Sequence, residues 1–360
     1  MTNGVMVSAA ASVLIPSAAA FVLGIAFAPI LAGVLYRAKA WKKKSGKESG
    51  IGGGGTPIFN ALHKEREVST PRMGGILIWA SVLATAFFFW GCARVLGSYW
   101  LPFDFVNRRE TWLPLFALAA GAFSGLVDDL LEVTEGHDGL SLMRRLAIVG
   151  AIGLAGGWWF YAKLGVSAIG IPFAQPLALG WLFIPFFAFV TVAIYAGGTI
   201  DGLDGLAGGI FAIIFMVYAG IAFGEGQTSL AAFAASVAGA TLAFLWFNIP
   251  PARFYMSETG SMALTLALSM TAFASDNISG GIGIFVLPLV ALPLTATVLT
   301  TLIQVFWKKV FHKKLFRVAP IHHHFEAIGW PASKVTMRYW VITIIAGVLG
   351  LGLALLARLP

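Results

Sequence analysis

Ten stretches of this chain are long and apolar enough to cross a lipid bilayer, and this restricts the fold more than any motif does. A membrane-crossing helix needs about 20 mostly apolar residues. The stretches run over 12–36, 74–95, 112–131, 146–162, 180–199, 206–224, 229–247, 260–275, 281–306 and 337–357. Inside hydrocarbon a chain must satisfy its own backbone hydrogen bonds, so each stretch is expected to be a helix. Composition agrees. Of 360 residues, 58% are hydrophobic and 11% charged, whereas a soluble domain carries about 25% charged residues. The mean hydropathy is +0.85. Such a chain cannot cover a soluble surface of this size, which excludes a soluble enzyme, a disordered protein and a nucleic-acid binder. The expected fold class is an all-α polytopic membrane protein, a single integral-membrane domain over 1–360.

The formal net charge of +8 acquires meaning from its placement. Ten crossings put both termini on one side. The loops after segments 1, 3, 5, 7 and 9 then hold 19 of the 24 Lys and Arg residues. The opposite side holds only Arg94, Arg108, Arg109, Lys163 and Arg358. Basic loops stay cytoplasmic, so the asymmetry predicts both termini on the extracytoplasmic side. The first apolar run has no Lys or Arg before it, so it lacks the charged start of a cleavable signal peptide. Cys92 is the only cysteine, which leaves no disulfide framework and no cysteine-based metal site.

Between the segments, loop 38–72 is long and basic and includes a glycine tract from Gly52 to Gly55. It lacks the phosphate-cradling G-x-x-x-x-G-K-[ST] pattern and reads as a cytoplasmic linker. Residues 163–179, with Gly165, Gly170, Pro172 and Pro176, read as an external hairpin or loop. Residues 307–336 form a cytoplasmic loop that contains three consecutive histidines. Gly153 and Gly157 have the small-residue spacing of close helix packing. Pro288 and Pro293 predict a bent or broken ninth segment.

Acidic residues beside membrane helices are costly and tend to be functional. Asp128 and Asp129 end segment 3, Asp201 and Asp204 follow segment 5, and Glu258 opens segment 8. His322, His323 and His324 lie in the loop after segment 9. All fall on the face that the charge count makes cytoplasmic. Each cluster has a plainer reading. Asp128 and Asp129 are then a solvated helix end, Asp201 caps segment 6, Glu258 complements a helix dipole, and the histidines belong to a solvated loop. Convergence favours chemistry. Five carboxylates on one surface call for a cation, and oxygen ligands of this kind suit Mg²⁺, which binds one or two carboxylates plus substrate phosphate. The residues therefore predict a Mg²⁺-dependent phosphoryl-transfer site at the bilayer surface, with a spare carboxylate as base.

Several blocks carry a family resemblance. They are Thr70-Pro71-Arg72-Met73-Gly74-Gly75, Asp128-Asp129, Asp201-Gly202-Leu203-Asp204-Gly205-Leu206, Phe244-Leu245-Trp246-Phe247-Asn248 and Ala319-Pro320-Ile321-His322-His323-His324-Phe325. In this order they resemble the signatures of the phospho-N-acetylmuramoyl-pentapeptide transferase (MraY) family, within the polyprenyl-phosphate sugar-1-phosphate transferases. The resemblance implies ten transmembrane helices, the bacterial inner membrane, a homodimer, and UDP-MurNAc-pentapeptide and undecaprenyl phosphate as substrates. Lipid I and UMP would be the products. It also implies roles. Asp128 matches the carboxylate that deprotonates the lipid phosphate, and Asp129 is its neighbour. Glu258 stands where the family has a Mg²⁺-binding Asp, so Glu258 and Asp128 are the expected metal ligands. Asp201, His322 and His323 complete the expected catalytic set. Lys64, Thr70, Asp204, Asn248, Tyr255, Gln304 and His324 are the expected substrate contacts.

Three positions depart from the family pattern. Glu132 stands in place of the Lys of Asp-Asp-x-x-Lys, Gly198 in place of an Asn, and Glu258 in place of an Asp. The alternatives are a transferase for another UDP-sugar, a relative that binds nucleotide without turnover, and a non-catalytic lipid-binding or transport protein. The carboxylates at helix ends and the lack of a visible inverted repeat weigh against transport.

Overall fold

The computed structural model describes residues 3–43, 69–135, 139–277 and 280–358. Lys64 and the glycine tract of loop 38–72 lie outside the described residues. In chain order the helices are α1 (Asn3–Arg37), α2 (Ile76–Val95), α3 (Trp112–Glu135), α4 (Leu142–Leu164), α5 (Phe183–Gly197), α6 (Leu206–Gly224), α7 (Thr228–Asn248), α8 (Ser257–Asn277), α9 (Gly283–Val290), α10 (Leu292–Phe311), α11 (Ile321–Ala327) and α12 (Ala332–Leu356). Two short strands, Ala168–Ile169 and Leu177–Ala178, pair antiparallel and make 163–179 a hairpin.

Each apolar stretch of the sequence is helical, but the spans are not equivalent. Among the described residues, eight helices are individually long and apolar enough to cross a membrane. Helices α9 and α10 together form a ninth span, bent by 74°. The tenth stretch is α8, which falls short on apolarity although it is 21 residues long. Its surroundings explain the difference. Every residue from Thr259 to Asp276 is buried in protein, so α8 has no lipid-facing stripe to keep apolar. It carries Ser261, Thr265, Ser269, Thr271 and Ser275. Their hydroxyls are satisfied nearby: Thr265 donates to Ser261 O at 2.7 Å, and Ser269 shares a 2.7 Å hydrogen bond with Thr191 of α5.

Helix α3 runs along α8 through Gly121 and Gly125, a small-xxx-small pair. A Cβ on Gly121 would lie 2.6 Å from Met262 O, and one on Gly125 would strike Glu258 O. The two backbones touch with nothing between them. Gly153 and Gly157 do the same for α4 against α5, where added Cβ atoms would lie 2.8 Å from Ala188 Cα and 2.9 Å from Ile184 O. Helices α1 and α7, α6 and α7, and α12 and α6 form the other main packings.

The α9–α10 break sits at Ala291, between Pro288 and Pro293. Proline removes a backbone donor and leaves a carbonyl without its helical partner. At the break the Thr295 hydroxyl lies 3.2 Å from both Pro288 O and Ala291 O.

Gly125→Ala is expected to destabilise the protein by roughly 2 kcal/mol or more, the scale of overpacking in a tight interior. Gly33→Ala, where an added Cβ meets nothing within 4 Å, is expected to be near neutral. Thermal melts of the two variants in detergent check this. Equal melting temperatures would remove the α3–α8 backbone contact as the frame of the fold.

Candidate active site

The loop ahead of α2 and the turn ahead of α8 are stitched together. Tyr255 N–H donates to Pro71 O at 2.8 Å, and Gly74 N–H donates to Tyr255 O at 2.8 Å. Met73 N–H donates to Ser257 Oγ at 2.8 Å. Met73 and Ser257 both adopt positive φ, the backbone cost of this close turn.

Asp129 of α3 closes the stitch. Its Oδ2 accepts hydrogen bonds from Ser257 Oγ (2.8 Å), Thr259 N–H (2.9 Å) and Thr259 Oγ1 (2.6 Å). It thereby caps the first turn of α8 from another helix, where orphan N–H groups and the dipole both favour an anion. Asp128 is equally buried and points to a different partner. Its Oδ1 accepts Leu140 N–H at 2.7 Å and lies 3.0 Å from Arg145 Nε. Its Oδ2 is buried without a hydrogen-bond partner among the described residues.

Arg145 sits in the first turn of α4 and is a residue that the sequence reading used only for topology. Its Nη1 reaches Glu258 Oε1 at 2.8 Å, so one guanidinium bridges Asp128 and Glu258. Tyr195 OH lies 3.4 Å from Glu258 Oε2. Arg72 of the Thr-Pro-Arg-Met block lies 2.8 Å from Glu132 Oε2 and 3.5 Å from Asp129 Oδ1. Lys42 takes the other Glu132 oxygen at 2.8 Å. Glu132, Arg72, Lys42 and Arg145 are thus site residues that motif reading missed as such. Their signal was weak in sequence: a buried carboxylate demands a cation, but the cation is supplied from a distant part of the chain.

Lys42, Arg72, Glu132, Arg145 and Tyr195 line a cavity of about 2400 Å³. Asp201, Asp204, Asn248, Tyr255, Glu258, Gln304 and His323 line it. Asp201 accepts Ser257 N–H at 3.0 Å, and Asp204 accepts Ala252 N–H at 3.2 Å. Asn248 accepts Gly205 N–H and donates to Phe254 O, both at 2.9 Å, so its amide clamps the Asp204–Gly205 turn. Gln304 binds Leu315 and Phe316 backbone and holds the loop that leads to the histidines.

The three histidines separate. His322 is fully buried and His323 nearly so, and both rings press on Gly202, where a Cβ would lie 2.8 and 2.6 Å from their Nε2 atoms. Only a glycine lets the histidine block sit on the Asp201–Asp204 turn. His323 Nδ1 pairs with Glu326 at 2.8 Å. His324 accepts Arg317 N–H at 3.2 Å and packs edge-on against Phe316. His322, His324, Thr70, Asp128 and Asp129 do not line the cavity, and Lys64 lies outside the described residues. Much of the remaining wall is apolar, from Phe186, Phe189 and Val190 of α5 to Phe285, Leu299 and Leu302 of the bent pair, and Lys308, Lys314 and Arg317 line it as well. One space therefore carries both charged groups and a broad apolar lining.

Comparison with known proteins gives this architecture its place. The family described as Glycosyl transferase family 4 matches residues 111–276. A phospho-N-acetylmuramoyl-pentapeptide-transferase of Bartonella quintana (strain Toulouse) is 33% identical over 311 residues, covering 79% of this chain and 80% of the relative. Another protein of that name, from Pelagibacter ubique (strain HTCC1062), is 33% identical over 316 residues, covering 80% and 81%. One from Clostridioides difficile (strain 630) is 31% identical over 283 residues, covering 77% and 81%. The chain belongs to the phospho-N-acetylmuramoyl-pentapeptide-transferase family. It is a multi-pass membrane enzyme of that family, and the Glycosyl transferase family 4 match spans α3 to α8, the part of the chain that carries Asp128, Asp201 and Glu258.

Burial pushes the Asp201 carboxyl up to about 6, against the pull of Ser257 N–H and Arg72. A carboxyl raised in the folded state keeps a proton that the unfolded chain has lost, so stability falls as pH rises through the window from about 4 to 6. Asp201→Asn cannot ionise and its amide oxygen still accepts the Ser257 N–H. The variant is therefore expected to be more stable than wild type at pH 8, by up to about 3 kcal/mol, with the gain vanishing near pH 4. Melting temperatures in detergent across this range check it. A constant difference at all pH values would contradict the assignment.

Proposed function

We propose that this enzyme transfers phospho-N-acetylmuramoyl-pentapeptide from its UDP derivative to undecaprenyl phosphate, giving lipid I and UMP in peptidoglycan synthesis. The observation that carries the reading is the Asp128–Glu258 pair, bridged by Arg145, at a cavity with both charged groups and a broad apolar lining. A cavity of about 2400 Å³ is more than twice the size of an ordinary small-ligand pocket. That suits two large substrates at once, one a nucleotide sugar and one a lipid.

The donor set fits Mg²⁺. Asp128 Oδ1 and Glu258 Oε1 lie 3.0 and 2.8 Å from two nitrogens of one guanidinium, so two carboxylates stand side by side. The unpartnered Asp128 Oδ2 is a further buried oxygen beside them. Among the described residues no three His, Cys, Asp or Glu side chains form a ready-made cage, so the ion would complete its shell with water and substrate phosphate. Glu258 and Asp128 would hold it, and when bound it neutralises phosphate charge during an in-line displacement.

The chain's own residues supply the rest. An oxygen of the lipid phosphate attacks the phosphorus that bears the sugar. A new P–O bond forms there, the P–O bond to UMP breaks, and any proton on the attacking phosphate is assigned to Asp128, which lies behind the wall formed by Arg145 and Glu258. His323, held by Glu326, lines the cavity beside Gly202. Lys308, Lys314 and Arg317 add positive charge there for an anionic donor. We place the charged groups on the cytoplasmic side, on the strength of the basic loops that surround them.

The test is UMP release from UDP-MurNAc-pentapeptide in detergent with undecaprenyl phosphate and Mg²⁺. Chelation is expected to stop it and added Mg²⁺ to restore it. Asp128→Asn and Glu258→Gln are each expected to lower kcat at least about a hundredfold. Folded protein that releases no UMP would overturn the reading, and competition with other UDP-sugars tests the donor.

A further inference from the structure

We propose that Arg72 is a phosphate-contacting residue of this site, and that Glu132 and Lys42 are positioning residues that hold and balance it. The inference rests on the transferase reading above. Its starting point is a guanidinium held along one edge. Arg72 Nη2 lies 2.8 Å from Glu132 Oε2 and 3.5 Å from Asp129 Oδ1, and Lys42 takes the other Glu132 oxygen at 2.8 Å.

The three side chains all line the cavity, so the guanidinium lies on its wall. Arg72 is fixed there from both directions. Its backbone N–H donates to Ala40 O at 2.7 Å, and the flanking Pro71 and Met73 are tied to Tyr255 and Ser257. Its Nε–H is buried with no acceptor among the described residues. A guanidinium held by one edge keeps further N–H donors for a phosphate, whose geometry it matches.

The same arrangement accounts for the departure at position 132. The signature quoted above carries Lys there, on α3. Here α3 contributes the anion, and the cations arrive from Lys42 and Arg72 across the wall. The positive charge has changed strands of the chain while staying at the cavity.

Two phosphate-bearing substrates enter this cavity, the nucleotide sugar with its diphosphate and the lipid with its monophosphate, and separate KM values distinguish them. In the full-length protein, Arg72→Gln is expected to raise one of the two KM values about tenfold or more, the scale of a lost charged hydrogen bond. The substrate affected names the phosphate. Both values within twofold of wild type, in folded protein, would overturn the proposal whatever happens to kcat. The exchange Arg72→Gln with Glu132→Lys returns a cation to α3 and is expected to bring the raised KM back to within about threefold of wild type. A folded double variant as weak as Arg72→Gln alone would also overturn it. If wild type releases no UMP, the transferase reading has failed instead. Stabilisation by inorganic pyrophosphate in a thermal melt then still tests Arg72: wild type shifts and Arg72→Gln does not, or the proposal falls.

Discussion

Asp129 places three hydrogen bonds on a single oxygen, all from the first three residues of α8, and the position of the whole site follows from that cap. The cap works because α3 and α8 already touch backbone to backbone at Gly121 and Gly125. Two turns of α3 separate Gly121 from Asp128 and Asp129. Glycine contact fixes how close the helices lie, and the carboxylate fixes their register. Once register is fixed, Asp128 can only turn toward Arg145 and Glu258. Glu132, three residues beyond Asp129, can only turn toward Arg72 and Lys42. A slip of one residue would bury an uncompensated charge, which costs several kcal/mol.

Charge balance then sets what the site can hold. Asp128, Asp129, Glu132, Asp201, Asp204 and Glu258 face Lys42, Arg72 and Arg145. Among these groups anions outnumber cations two to one. The groups are divided unevenly. Glu132 has Lys42 and Arg72 against it, while Asp128 and Glu258 share Arg145. Under the reading proposed above the phosphate takes the first place and the divalent ion the second.

Much of this was legible in the residues alone. All ten apolar stretches are helical, and the bend in the ninth follows from Pro288 and Pro293. The carboxylates Asp128, Asp129, Asp201, Asp204 and Glu258 come together as their blocks suggest. What stayed hidden was the division of labour among them. Adjacent residues on a helix face different neighbours, so Asp128 and Asp129 look alike in sequence and differ in space. Arg72, Arg145 and Lys42 read as topology charges because their partners lie far along the chain. The histidine triplet could not be resolved for the same reason: His322 and His323 press on Gly202, whereas His324 turns to Arg317 and Phe316. The apolarity of α8 was misleading in the opposite sense. Its hydroxyls weaken the membrane-span signal because the helix never meets lipid.

The bent span completes the argument by connecting charge to hydrocarbon. A straight helix at α9–α10 would run alongside its neighbours and seal the site from the bilayer. A bend of 74° instead carries Phe285, Leu299 and Leu302 around the opening opposite α5. Such a break within a membrane span is tolerable only where its freed carbonyls find donors, and at this one the Thr295 hydroxyl lies against both Pro288 O and Ala291 O. The polar groups need burial to make their charges strong, and a lipid needs access from the side. Glycine contacts at α3–α8 and a proline break at α9–α10 meet these opposed demands in one cavity.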